Sequence, residues 1–242
     1  MASYSQHAFS EKVALVTDGS NPVGRAVAMQ LALYGAYVIA GFPPSSGERS
    51  DALEELRSLG TLANAFEADV SNAEGAENLI AEVGKQYGRL DLLVNCQDFR
   101  SGSSFIDTDP ALFDKTVDRN FRSLFFVTKY ALSLMESRPR PKIVNVISNC
   151  DSEESSKDPA YVAVNSAAVG FMTALRDLLS NNFRINTVRV SEKEKDPGKF
   201  DVPDDELFRR RKKAEPDDAA RTVLYLLSSE AIGINGQVFV VE

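Results

Sequence analysis

Residues 13–25, VALVTDGSNPVGR, decide the fold. Val13 to Val16 form an apolar run too short for a helix and suited to a buried strand. Asp18-Gly19-Ser20-Asn21-Pro22 is a cluster of chain breakers, and Pro22 suits the first helical position, where a backbone N–H would have no intrahelical partner. Val23, Val27, Leu31 and Tyr34 then recur at helical spacing, and Gly35 stands where a left-handed residue closes a helix. A strand, a turn and a helix therefore open the chain. In doubly wound α/β proteins a first turn of this kind holds a dinucleotide pyrophosphate on the helix N-terminus, with glycines letting the phosphate approach the backbone. Only Gly19 and Gly24 are present here. The first βα unit of any parallel sheet has this pattern, so the turn alone names no cofactor.

The alternation continues outward from that unit. Tyr37 to Phe42 predict a second strand, Pro43 to Gly47 break it, and Leu53, Leu56 and Leu59 mark a helix. A third strand, Ala63 to Phe66, leads to Ala68-Asp69-Val70, and Ser71 with Glu74 reads as a capping box for a helix that closes at Gly88. Leu92 to Val94 give a fourth strand ending at Asn95-Cys96. Asp109-Pro110 starts a long helix carrying Phe113, Val117, Phe121, Phe125, Tyr130 and Leu134 toward the body of the protein, with Asn120 among its polar positions. Ile143 to Ile147 run up to Ser148, a helix spans about Ala160 to Ser180, and Ile185 to Val190 form a sixth strand. Two short helices, near 204–212 and 217–228, precede a last strand, Gln237 to Val241. The expected architecture is α/β: a single Rossmann-like domain over residues 1–242, with a doubly wound parallel sheet of about seven strands and helices on both faces. Residues 1–10 are expected to form a flexible arm, and 191–215 a mobile substrate loop with a short helix.

Of the 242 residues, 43% are hydrophobic and 26% charged, an ordinary globular balance. A net charge of -8 argues against a nucleic-acid surface. The run Arg209 to Lys213 is the basic exception and reads as a solvated helix end near Asp204, Asp205 and Glu206. No apolar stretch reaches membrane-spanning length, and the N-terminus lacks a signal-peptide core, so a cytoplasmic protein is expected. Two cysteines and the single histidine, His7, cannot build a zinc cage or a Ser-His-Asp triad, and no metal is expected. Cys96 and Cys150 follow neighbouring strands and are expected to remain unpaired thiols.

Together these stations resemble the classical short-chain dehydrogenases/reductases, closest to their 3-oxoacyl carrier-protein reductase branch, from about residue 11 to the C-terminus. VTDGSNPVG falls on the family's glycine motif, Asp69-Val70 on its adenine-binding pair, and LVNCQD on its Asn-Asn-Ala-Gly. Asn120, Ser148 and Tyr161 fall on the catalytic Asn, Ser and Tyr, at the customary interval from Ser148 to Tyr161. The resemblance implies cofactor contacts from Gly19, Ser20, Asn21, Gly24, Asp69, Val70 and Asn95, with NAD or NADP as cofactor and a small carbonyl substrate. It further implies that Tyr161 donates a proton to the substrate oxygen, Ser148 hydrogen-bonds that oxygen, and Asn120 orders a relay water. It implies a homodimer or homotetramer as well, paired through the helices that carry Asn120 and Tyr161, where Phe121, Phe125, Phe126, Val169, Phe171 and Met172 supply apolar surface.

The departures cluster around the cofactor. Asp18 and Pro22 replace two glycines, bringing a carboxylate and removing an N–H donor. Gln97-Asp98 replace Ala-Gly, Asn165 stands in the place of the lysine, and Val190-Ser191 replace Pro-Gly. Gly41, Phe42 and Pro43 offer neither an acidic nor a basic residue to choose between NAD and NADP. Two functions are therefore expected: an NAD(P)H-dependent reductase of a small carbonyl or 3-oxoacyl substrate with impaired cofactor binding, or a catalytically inactive relative serving as a structural or regulatory subunit.

Overall fold

The computed structural model describes residues 8–44, 49–58, 63–150, 157–179, 182–191 and 215–242. In chain order the elements are β1 (Val13–Val16), α1 (Pro22–Leu33), β2 (Tyr37–Phe42), α2 (Arg49–Ser58), β3 (Ala63–Glu67), α3 (Ala73–Tyr87) and β4 (Leu92–Asn95). There follow α4 (Pro110–Val117), a π-turn (Asp118–Arg122), α5 (Ser123–Met135), β5 (Lys142–Asn149), α6 (Pro159–Leu178), β6 (Arg184–Ser191), α7 (Pro216–Leu227) and β7 (Val238–Val241). The seven strands form one sheet in the order β3-β2-β1-β4-β5-β6-β7, and every pairing is parallel. The order reverses between β1 and β4, which opens a crevice beyond the ends of those strands.

Both faces are covered, which is why β1 is apolar throughout rather than alternating. Ala14 and Val16 face the layer of α1, α2 and α7, whereas Val13 and Leu15 face that of α3, α5 and α6. On the first face, Val27 and Leu31 of α1 pack in one core with Val223 and Leu224 of α7, and Gln30 donates across to Asp217. Phe9 is buried in that core and donates its N–H to the Tyr34 carbonyl. The expected flexible arm is therefore pinned at Phe9, because an aromatic side chain gains more from burial than the chain end loses in freedom; residues 1–7, His7 among them, lie outside the described set. So do residues 192–214, with the basic run and the helix near 204–212, while Ser191 belongs to β6 and Glu215 precedes α7.

Two local expectations are corrected. Asn72, not Ser71, caps α3, its side chain accepting from Gly75 N. The Ser71 hydroxyl is drawn back to Asp69 Oδ1 at 2.6 Å, which moves the cap one residue on. The long helix is interrupted by the π-turn, whose extra residue rotates the sequence by about 100°. Phe125, after the turn, consequently does not point into the body and is 38% exposed, and Phe113, ahead of it in α4, is 47% exposed. Thr116 and Leu124 are buried instead. Phe121, Phe125 and Phe171 form a surface ring cluster between α5 and α6, and Met172, expected at the surface, is buried beneath it.

Candidate functional site

Beyond β1 the chain closes a tight turn over its own side chains. Asp18 Oδ1 accepts from Ser20 N at 2.9 Å, Ser20 Oγ at 2.6 Å and Asn21 N at 3.2 Å. Burial raises the Asp18 pKa above its ordinary value, against the lowering effect of those bonds and of Arg119. Asn21 is the N-cap of α1, its Oδ1 accepting from Val23 N and Gly24 N, and Pro22 occupies the first helical position. The amides that would meet an anion at this helix start are therefore bonded to Asp18 and Asn21. Gly19 lies under the Phe42 ring, which a Cβ there would strike, and a Cβ at Gly24 would strike the Asp18 carbonyl. The two remaining glycines thus serve close packing of the loop upon its neighbours.

The loop after β4 is fastened to β1 and to the π-turn. Thr17 Oγ1 donates to Gln97 Oε1 at 2.7 Å, and Gln97 Nε2 donates to the Thr17 carbonyl at 2.9 Å. Asn120 in the π-turn accepts from Phe99 N and donates to Phe99 O, both at 2.8 Å, and donates to Thr116 O at 2.9 Å. Its side chain is thereby spent on holding the loop. These ties set Asp98 over the ends of β5 and α6. Asp98 Oδ1 accepts from the Tyr161 hydroxyl at 2.5 Å, and Asp98 Oδ2 accepts from Ser148 Oγ at 3.1 Å. Tyr161 is fully buried, with the Arg100 guanidinium 5.5 Å from its ring centre, and Asp158 caps α6 by accepting from Tyr161 N.

Asn120, Ser148 and Tyr161 are thus brought together around residues 98–99. Asn165 is buried one turn along α6 and donates to the Tyr161 carbonyl at 2.9 Å. It lines a small polar cavity with Asn95, Asn120 and Asn145. There Asn95 Oδ1 and Asn145 Nδ2 are buried without a hydrogen-bond partner among the described residues. Asp69 and Val70 line a cleft shared with Asp18, Asp98 and Arg119, but Asp69 Oδ1 is already engaged by Ser71 N and Oγ. Asp98 is the participant that sequence reasoning missed. It stood out only as a replacement for glycine, and nothing in the spacing pairs it with residues 50 and 63 positions away.

As this cradle stands, a nicotinamide dinucleotide does not fit it: the amides of the loop are engaged, Phe42 covers Gly19, and Asp98 holds the hydroxyls of Tyr161 and Ser148. Among the described residues, no cluster of His, Cys, Asp or Glu could hold a metal ion, and no helix is long and apolar enough to cross a membrane. Cys96 is buried with its thiol pushed up to about 12, chiefly by burial, and Cys150 is also a free thiol.

Comparison with known proteins finds a family model, short chain dehydrogenase, matching residues 12–192. A 3-oxoacyl-[acyl-carrier-protein] reductase FabG of Staphylococcus epidermidis is 27% identical, over 93% of this chain and 95% of its own length. An L-rhamnose 1-dehydrogenase (NAD(P)(+)) of Azotobacter vinelandii is 28% identical, over 96% and 95%. Among solved structures, a dehydrogenase/reductase from Sinorhizobium meliloti superposes with a TM-score of 0.85 at 26% identity, covering 98% of this chain and 95% of its own. A short chain dehydrogenase from Burkholderia cenocepacia in complex with NADP gives 0.83 at 26%, covering 97% and 98%.

Proposed function

This chain belongs to the short-chain dehydrogenase family, a family of oxidoreductases, and from that premise we propose that it serves as a catalytically inactive subunit whose dinucleotide cleft is filled by its own carboxylates. One observation carries the reading: Asp98 accepts hydrogen bonds from both Tyr161 and Ser148. A carboxylate there sits where a carbonyl oxygen would have to be received, and it draws the phenolic proton away from any substrate. Asp18 supports the same reading by satisfying the loop amides from within. The subunit works as a homodimer or homotetramer in the cytoplasm, with the Phe121–Phe125–Phe171 cluster as its pairing surface.

The second reading, an impaired NAD(P)H-dependent reductase of a small carbonyl or 3-oxoacyl substrate, is favoured by the convergence of Asn120, Ser148 and Tyr161 on one loop and by the NADP-bound relative. Calorimetric titration with NADPH and NADH separates the two. The inactive subunit binds neither at about 1 mM. Micromolar binding of either, accompanied by turnover of a 3-oxoacyl thioester, makes the second reading the correct one.

A further inference from the structure

A second feature of the crevice is a cavity of about 360 Å³ between the start of α1, the ends of β5 and β6, and Pro216. Its walls are mostly apolar, with Val23, Ile147 and Val190 among them, and Ser148, Ser191 and Asn21 add neutral polar groups. Asp98 is the one ionisable side chain lining it among the described residues. We propose that this cavity binds a small apolar amine in its protonated form, with the ammonium on the Asp98 carboxylate and the hydrocarbon body against the apolar walls. The proposal rests on the self-filled cradle described above, which removes the donors an anion would use: Ser20 and Asn21 amides face Asp18, and those of Val23 and Gly24 face Asn21.

The chemistry of Asp98, exposed at the edge of this cavity, is one-sided. An ionised carboxylate only accepts hydrogen bonds, and Tyr161 and Ser148 present donors to it, so a ligand that joins the group must bring a donor of its own. The Asp98 bond to Ser148 Oγ, at 3.1 Å, is the longer of the two, so an ammonium can share Oδ2 or displace the hydroxyl. Arg119 shares the neighbouring cleft with Asp98 and the Arg100 guanidinium stands against Tyr161, so the ammonium competes with these side chains for the carboxylate. An anionic ligand of equal size would meet Asp98 directly, and a neutral one would gain a weaker hydrogen bond than a charged donor does.

Calorimetric titration of the full chain with benzylamine, benzyl alcohol and benzoate, near neutral pH and physiological salt, tests this with three ligands of one shape. Benzylamine is expected to bind about tenfold or more tightly than the other two. Asp98→Asn, which keeps the shape, brings the amine to the level of the alcohol. Val190→Phe, which narrows the cavity, weakens amine and alcohol together. Amine binding no tighter than that of the alcohol, undetectable binding included, overturns the proposal, as does a preference that survives Asp98→Asn. NADPH in the same cell reports separately on the self-filled cradle, because amine selectivity that depends on Asp98 stands whether or not the dinucleotide binds.

Discussion

At the end of the sheet where its strands begin, Asp91 is 3% exposed and surrounded by positive charge: Arg138 at 3.0 Å, Lys12 and Arg89 at 3.7 Å, with Val13 N donating at 3.0 Å. At the opposite end, Asp18 is held by amides and a hydroxyl, and Asp98 by the hydroxyls of Tyr161 and Ser148. The first arrangement ties β1, β4 and the chain after α5 into one unit, so it belongs to the fold. The second occupies groups that no strand or helix needs, so it belongs to the site. The difference teaches that burial and partners change together: the carboxylate of the fold is buried among cations, whereas half-buried Asp18 and exposed Asp98 are held by amides and hydroxyls.

Removing each carboxylate in turn is the most severe way to break this contrast. Asp91→Ala should cost about 2–3 kcal/mol in denaturant unfolding, because it leaves the buried Val13 N–H unpaired and removes the shared partner of Arg138, Lys12 and Arg89. Asp98→Ala should cost less, about 1 kcal/mol, for the lost hydrogen bonds of Tyr161 and Ser148; equal losses would erase the distinction. Next in size, the combined Asp18→Gly, Pro22→Gly and Asp98→Gly variant should strengthen NADPH binding at least about tenfold, close to 1.4 kcal/mol, by freeing amides and restoring an N–H. No gain in calorimetry would mean that Phe42 over Gly19, rather than the carboxylates, closes the cleft.

Lys142 sharpens the comparison from the fold side. Its ammonium donates to the Leu227 and Ser228 carbonyls at 2.6 and 2.7 Å, capping α7, while burial, aided by Lys12, Arg184 and Arg140, pushes its pKa down to about 8. Lys142→Met should cost about 1 kcal/mol. Because the folded value lies below the ordinary 10.5, the unfolded chain binds more protons between the two, and wild-type stability should climb relative to the variant as pH rises from about 8 toward 10.5. A flat difference across that window would remove Lys142 from this role. The smallest effect belongs to Asp18→Asn. A raised carboxyl pKa means that the ionised form is penalised in the fold, a penalty present at neutral pH and gone once pH falls below about 3.8, where both states are protonated. The variant should melt about 2 °C higher at pH 7, and the gain should vanish toward that lower limit.

The first βα unit was legible in the sequence because its rules are local: Asn21 caps, Pro22 starts the helix, and Gly35 takes a φ of 93° just beyond it. Tyr37–Phe42 and Gly88 could be read for the same reason. Ser148, Tyr161 and Asn120 could be placed only through family resemblance, and their meeting at Asp98 could not be read at all. That meeting depends on β4 and β5 lying side by side and on α6 folding back over them. The outward turn of Phe125 was hidden likewise, since a π-turn has no periodic signature and shifts everything after it.

The packing of α1 against α7 bears on how the protein is made. Val27 and Leu31 leave the ribosome long before their partners Val223 and Leu224 are made. One face of the central strand must therefore stay incompletely covered until α7 has been made, and the segment before residue 216 cannot finish that layer alone. The contacts that close this layer are among the longest in sequence, which makes its closure a slow and late step. A nascent chain stalled before residue 216 should consequently depend on chaperones to remain soluble.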